Sequence, residues 1–141
     1  MSRAEKVFIL GTIFWLLLQL SRVIALALIV DINAGLSSEA WRYPAYLDLF
    51  AVIFALPLIW AVWACRGFLT WVALIMYWVI SIIDHFGNFL TTIFVGPPSI
   101  ADGMNPFVVP AVQTLLDILL LGLLFVPQYR DLFFRVQKSA R

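Results

Sequence analysis

Apolar residues fall into four long runs along this chain, parted by short polar stretches. The first run, Val7–Val30, follows Met-Ser-Arg-Ala-Glu-Lys and is interrupted by Gln19 and Arg22. It is longer than the apolar core of a cleaved signal peptide, roughly 7–15 residues, so the reading is an uncleaved first transmembrane helix. The second run is Leu47–Cys65 and the third Phe68–Val95, which Gly96-Pro97-Pro98 ends. The fourth is Phe107–Val126, with Pro110 near its start and Pro127 closing it. A helix needs about 20 residues to cross a hydrocarbon core, and each run supplies them. The pattern predicts an all-α integral membrane protein: one domain, residues 1–141, built as an antiparallel bundle of four transmembrane helices.

Within the third run the polar residues are ordered. Tyr77, Ser81, Asp84, His85, Asn88, Thr91 and Thr92 recur every three or four positions and share one side of a helix. Trp71, Ile75, Trp78, Ile82, Phe86 and Phe89 make an opposite side apolar enough for lipid. On the first helix Gln19 and Arg22 share a face with Trp15, and on the fourth Gln113, Thr114 and Asp117 do the same. The second helix offers almost nothing polar between Leu49 and Ala64; its Phe50, Phe54, Trp60, Trp63 and mid-helix Pro57 suggest packing, a kink or lipid contact.

Helical rise places these groups in depth. At about 1.5 Å per residue, Arg22 lies about 22 Å and Asp84 about 24 Å from the inner ends of their helices. Gln113 and Asp117 lie about 9 Å and about 15 Å below the outer end of theirs. In a core about 30 Å thick all fall between the midplane and the outer quarter, so three helices converge at one level. A charge at such depth costs about 2.5–3.5 kcal/mol even on lenient scales, which makes the group a candidate site. Its members are Arg22, Asp84, His85, Asn88, Gln113, Asp117, Gln19 and Ser81.

Arg22 and Asp84 are expected to pair, either to fix helix packing or as a ligand's counter-ion. One carboxylate is then left over, and it must be protonated, paired with a charged His85 or balanced from outside the chain. Asp117, the group left without the arginine, is the candidate proton carrier with His85 as relay; the alternative is a hydrogen-bonding cap on a helix-packing network. His85 reads as an interior hydrogen-bonded residue before a metal or haem ligand, because a second histidine is lacking. No metal site is predicted, and no residue pattern names a cofactor.

Composition and charge add direction. The chain is 64% hydrophobic and 12% charged, far from the about 25% charged of soluble domains. With the N-terminus cytoplasmic, Arg3, Lys6, Arg66, Arg130, Arg135, Lys138 and Arg141 lie inside, and only Arg42 lies outside with Asp31, Glu39 and Asp102. That asymmetry puts both termini in the cytoplasm, and a bacterial inner membrane is the expected location. Trp41, Tyr43 and Tyr46 suit headgroup depth in the first outer loop, while the Gly/Pro-rich stretch 96–106 reads as an irregular second one. Tyr129, Leu132, Phe133 and Val136 have helical spacing beside Arg130, Arg135 and Lys138, which suggests an interfacial helix over about residues 129–137, or else a fraying tail.

One cysteine, Cys65, excludes an internal disulfide and CxxC motifs. HExxH, GxSxG and Walker A motifs are lacking, so catalytic residues are not assigned. Three functions remain, in this order: a protein that binds or passes a small solute, ion or proton, as an oligomer; an accessory or assembly subunit of a larger membrane complex; and a small membrane enzyme acting on a lipid-like substrate. The expected partners are membrane lipids and a homo-oligomeric or larger complex, with no nucleic acid.

Overall fold

In a computed structural model the described residues are mostly helical, with no strand among them. The structure describes residues 1–101, 103 and 105–138, without the side chains of 135–138. Asp102 and Arg141, and the side chains of Arg135, Val136 and Lys138, lie outside the described residues. The helices are α1 (Arg3–Gln19), α2 (Ala25–Asn33), α3 (Arg42–Trp60), α4 (Phe68–Val95), α5 (Val108–Leu123) and α6 (Pro127–Lys138). Three stretches are long and apolar enough to cross a membrane: Arg3–Asn33, Glu39–Cys65 and Phe68–Val95. Val108–Leu123 and Pro127–Phe134 make a fourth if the pair, bent by 70°, is one span.

The first run is a single rod with a tightened middle. A capping box starts α1: Ser2 Oγ accepts from Glu5 N–H, and Glu5 Oε2 accepts from Ser2 N–H. Leu20–Ile24 then winds as a 3₁₀ turn before α2 resumes the α-helix. Ser21 Oγ donates to Leu18 O at 2.8 Å, a local bond that competes with regular helical pairing. Arg22 sits on this turn.

The second run differs from its predicted bounds, because α3 starts at Arg42 rather than Leu47. Its buried face is Ala45, Ala51, Ala55 and Leu58, and the small residues let α4 come close enough for Tyr77 Oη to donate to Ala51 O at 3.1 Å. Pro57 has no N–H for the carbonyl one turn back. Residues Ala61–Cys65 follow as a π turn, closed by Arg66 N–H to Ala61 O at 2.9 Å. Phe54, Trp60 and Trp63 face outward.

Helix α4 is the central element, packed against α3, α5 and α6. Its two sides are not simply polar and lipid-facing. Trp78 is fully buried, edge-on to Tyr77, and Trp71 Nε1 donates to the terminal carbonyl of Leu124 at 3.0 Å. Enclosure by several neighbours widens the buried arc at Trp71 and Trp78, while Leu69, Met76, Val79, Ile83, Phe86, Leu90 and Ile93 stay exposed. The helix stops at Gly96, whose φ of 97° is a conformation that a side chain resists. Trp41 Nε1 donates to Gly96 O at 3.1 Å, so Trp41 is a buried clasp rather than a headgroup anchor.

The two ends of the molecule are built differently. At one end Arg66 Nη1 reaches Met1 Sδ at 2.9 Å and Gln128 Nε2 reaches Ser2 Oγ at 3.4 Å. There α6 exists as the spacing suggested, but Leu132 and Phe133 are buried in the main apolar core and Tyr129 stacks on Phe8 at 4.5 Å. Tyr129, Leu132 and Phe133 of α6 are therefore packed against protein, with α1 and α4 as the neighbouring helices. Pro127 opens this helix instead of closing the one before, a position where its missing N–H costs nothing. At the other end Ser99 Oγ donates to Asp31 Oδ2 at 2.6 Å, and Ser37 Oγ donates to Ser99 Oγ at 3.1 Å, lacing the loops together.

Candidate functional site

Between these ends Arg22 reaches three side chains from two other helices. Its Nε lies 3.3 Å from Asp48 Oδ1 on α3, and its Nη1 lies 3.3 Å from Asp84 Oδ2 on α4. Its Nη2 lies 2.9 Å from Nδ1 and 2.8 Å from Nε2 of His85. An atom that near both ring nitrogens cannot lie along the lone pair of either, so guanidinium and imidazole are in close contact without a well-directed hydrogen bond. The 3₁₀ turn, with its tighter and more extended winding, carries Arg22 at this level.

Behind His85 stands Asp117. His85 Nε2 is 3.4 Å from Asp117 Oδ2, and Ser81 Oγ is 3.5 Å from the same ring nitrogen. Asp117 Oδ1 accepts a bond from Trp15 Nε1 at 2.7 Å. Asp117 is the one buried residue of α5, a helix that otherwise keeps its side chains partly or fully exposed. The groups form a line: Asp48, then Arg22 with Asp84 and His85, then Asp117 and Trp15.

Arg22, Asp84, His85, Asp117, Ser81 and Gln19 are all buried within this one chain. Gln19 touches no charged partner: both atoms of its amide are enclosed without a hydrogen bond, as is Thr12 Oγ1. Thr12, Trp15, Gln19 and Arg22 continue one face of the first rod toward the N-terminal end. Asp84 Oδ2 and Asp117 Oδ2 also lack a hydrogen bond of good geometry, their partners being ion pairs at 3.3 and 3.4 Å, and Asp84 Oδ1 is enclosed without a hydrogen bond.

Asn88 and Gln113 do not join the charged groups. They line a cavity of about 220 Å³ at the end where the loops lie, together with Arg22 and Asp48. The expected single level therefore divides into a charged line and an amide-lined cavity that meet at Arg22.

Asp48 is the member that sequence reasoning missed. Taking Leu47 as the start of the apolar run made Asp48 look like a boundary residue, whereas α3 begins at Arg42 and carries it well inside the helix. A signal was there: Asp48, Ala51, Ala55, Leu58 and Val62 are spaced by three and four, so the aspartate falls on the small-residue packing face. Its inclusion changes the charge balance from two carboxylates against one arginine to three.

The geometry limits the chemistry. A Ser-His-Asp triad needs its serine and its carboxylate on opposite ring nitrogens, and here both approach Nε2. Among the described residues no three His, Cys, Asp or Glu side chains are arranged to hold a metal ion. Comparisons with protein-family models, with curated proteins and with solved structures find no match to this chain.

Proposed function

We propose that this chain is an integral protein of a bacterial cytoplasmic membrane, crossing it four times as an antiparallel bundle, that binds and passes a proton or small cation through its buried charged line. The observation that carries this reading is the charge imbalance: Asp48, Asp84 and Asp117 gather around a single guanidinium and one imidazole. With every group ionised and His85 neutral the sum is −2, and with His85 charged it is −1. An uncompensated charge in hydrocarbon is too costly to persist, so the site must hold protons or a cation, and its occupancy is open to exchange.

Burial within one chain favours binding over assembly. A subunit whose polar stripe met a partner would turn that stripe outward, since lipid cannot satisfy it. Here the exposed side chains of α4 are apolar, Met76, Ile83, Phe86, Leu90 and Ile93 among them, and Asp84 and His85 are buried. The cluster needs no second copy to be enclosed. Topology rests on the positive residues: the N-terminus, the Arg66 turn and α6 share one end, the end that carries most of the lysines and arginines.

Infrared difference spectra of the protein in nanodiscs, taken between mildly acidic and mildly alkaline buffer, test the proton site. A protonated-carboxyl band should titrate in the wild type and shrink in Asp117→Asn, which keeps size and hydrogen bonding. A wild-type spectrum without a titrating carboxyl band would sink the reading. Orientation is tested in intact cells by thiol labelling: Leu36→Cys in a Cys65→Ser background should react with an impermeant reagent from outside, and native Cys65 should not. Reversed labelling would invert the topology.

A further inference from the structure

The cavity at the loop end has a floor, walls and a size that define a ligand. Arg22 and Asp48 form the floor; Arg22 is 5% exposed, and its Nε and Nη1 have no hydrogen bond of good geometry. Asp48 keeps 22% of its side-chain surface open, and so is the charged group of the line most accessible from the cavity. Ile24, Leu28, Trp41, Pro44, Ile100 and Val109 make apolar walls, and the amides of Asn88 and Gln113 flank the floor. The volume of about 220 Å³ gives room for a compact organic molecule.

Charge decides the class. Arg22 is shared between Asp48 and Asp84 at equal distances of 3.3 Å, so one positive charge serves two negative ones before Asp117 is counted. An anion placed on this arginine would lie beside both carboxylates and be repelled. A cation beside Asp48 would supply what the arginine cannot, and the aromatic wall at Trp41 favours it further. We propose that the cavity is a binding site for a small organic monocation, an ammonium group on a compact apolar body, with the ammonium on Asp48 and the body against the apolar walls.

This rests on the reading of the charged line as an exchangeable cation site, and it names the ligand that enters at the cavity end. Two sources carry such an ammonium, a free amine and an aminolipid headgroup. They share the chemistry argued here.

Calorimetric titration of the purified chain in neutral-detergent micelles, against empty micelles, tests the proposal with three probes of matched shape: benzylammonium, benzyl alcohol and benzoate. Benzylammonium should bind and the other two should not. Asp48→Asn should weaken binding by about tenfold or more, the usual scale for removing one partner of a buried charge pair. Val109→Trp, which fills the cavity from α5 and leaves the charged line in place, should abolish it, and decides the matter if Asp48→Asn does not fold. Added phosphatidylethanolamine should compete if the natural source is a headgroup and have no effect if it is a free amine; either result keeps the ammonium site. Binding of benzoate in preference, equal binding of all three probes, or no binding of benzylammonium would overturn the proposal. If the carboxyl band still titrates in that last case, the proton site stands and only the organic cation falls.

Discussion

One end of this molecule is closed by aromatic packing and the other is open above charge. At the closed end Phe8 stacks on Tyr129, Phe134 meets Trp71 at 5.7 Å, and Phe133 is completely buried where α6 folds back on α1 and α4. At the open end a smaller core of Ala25, Leu28, Ile32, Trp41 and Ala45 stops short of filling the space, and the cavity leads down to Arg22 and Asp48. Within a bilayer, apolar contact alone drives helices together weakly, so shape-matched packing and hydrogen bonds must hold them. The closed end relies on aromatic packing and on neutral contacts such as the Trp71 Nε1 bond to Leu124 O. The open end adds the charges of Arg22 and Asp48, and these are interactions that respond to pH and to ligands.

The strongest test of that contrast is the pH dependence of two substitutions. Arg22→Met keeps much of the side-chain volume but strands Asp48 and Asp84 without their cation. Breaking a buried ion pair costs about 3–5 kcal/mol, and here one residue serves two pairs. Protonation removes the stranded charges, so the loss should be largest in alkaline buffer and shrink on acidification. Phe133→Ala, at the closed end, should cost about 3 kcal/mol through a cavity and lost contacts, with no dependence on pH. Unfolding midpoints in detergent at two pH values measure both. An equal, pH-independent loss for the two variants would mean that the charged line is merely packing material.

A smaller effect is expected where the line meets the first rod. Trp15→Phe removes the indole donor to Asp117, a bond worth about 2 kcal/mol when its acceptor is a charged carboxylate. In an Asp117→Asn background the same change should cost clearly less, because the acceptor has lost its charge. The double-mutant cycle therefore reads the charge on Asp117 directly. Identical losses in the two backgrounds would show that Asp117 carries no charge in the folded protein.

Much of this arrangement was legible in spacing, and the exceptions share a physical cause. Polar residues three and four apart along Phe68–Val95 announced the buried side of α4, and Gln19 with Arg22 announced that of the first rod. Spacing could place these residues on faces and at depths, and matched depth brought Arg22 and Asp84 together on paper. It could not see that a 3₁₀ turn would let one arginine span two helices. Nor could it separate Asn88 and Gln113 from the charges, since loop packing above them decides where the cavity lies. Asp48 was hidden by a boundary drawn from hydropathy, although the helix itself begins well before the apolar run does. The apolar pattern of Tyr129, Leu132 and Phe133 predicted the helix but not its cover, because an apolar face reads the same whether lipid or protein meets it.

The smallest effect should come from the clasp over the open end. Trp41 Nε1 donates to Gly96 O, the carbonyl just beyond the last turn of α4, where no helical N–H is left to meet it. Trp41→Phe keeps an aromatic ring on the cavity wall and removes only this donor, a neutral hydrogen bond worth about 1 kcal/mol. The loss should be the same in acid and in alkali, since neither partner titrates, and this distinguishes the clasp from the charged floor below it. Its local consequence should exceed its global one: amide hydrogen exchange should rise at Gly96 and in the Ser37–Ser99 lacing, and stay unchanged around Phe133. Faster exchange at both ends would mean that the two halves unfold as one unit, and that the open end has no conformational freedom of its own.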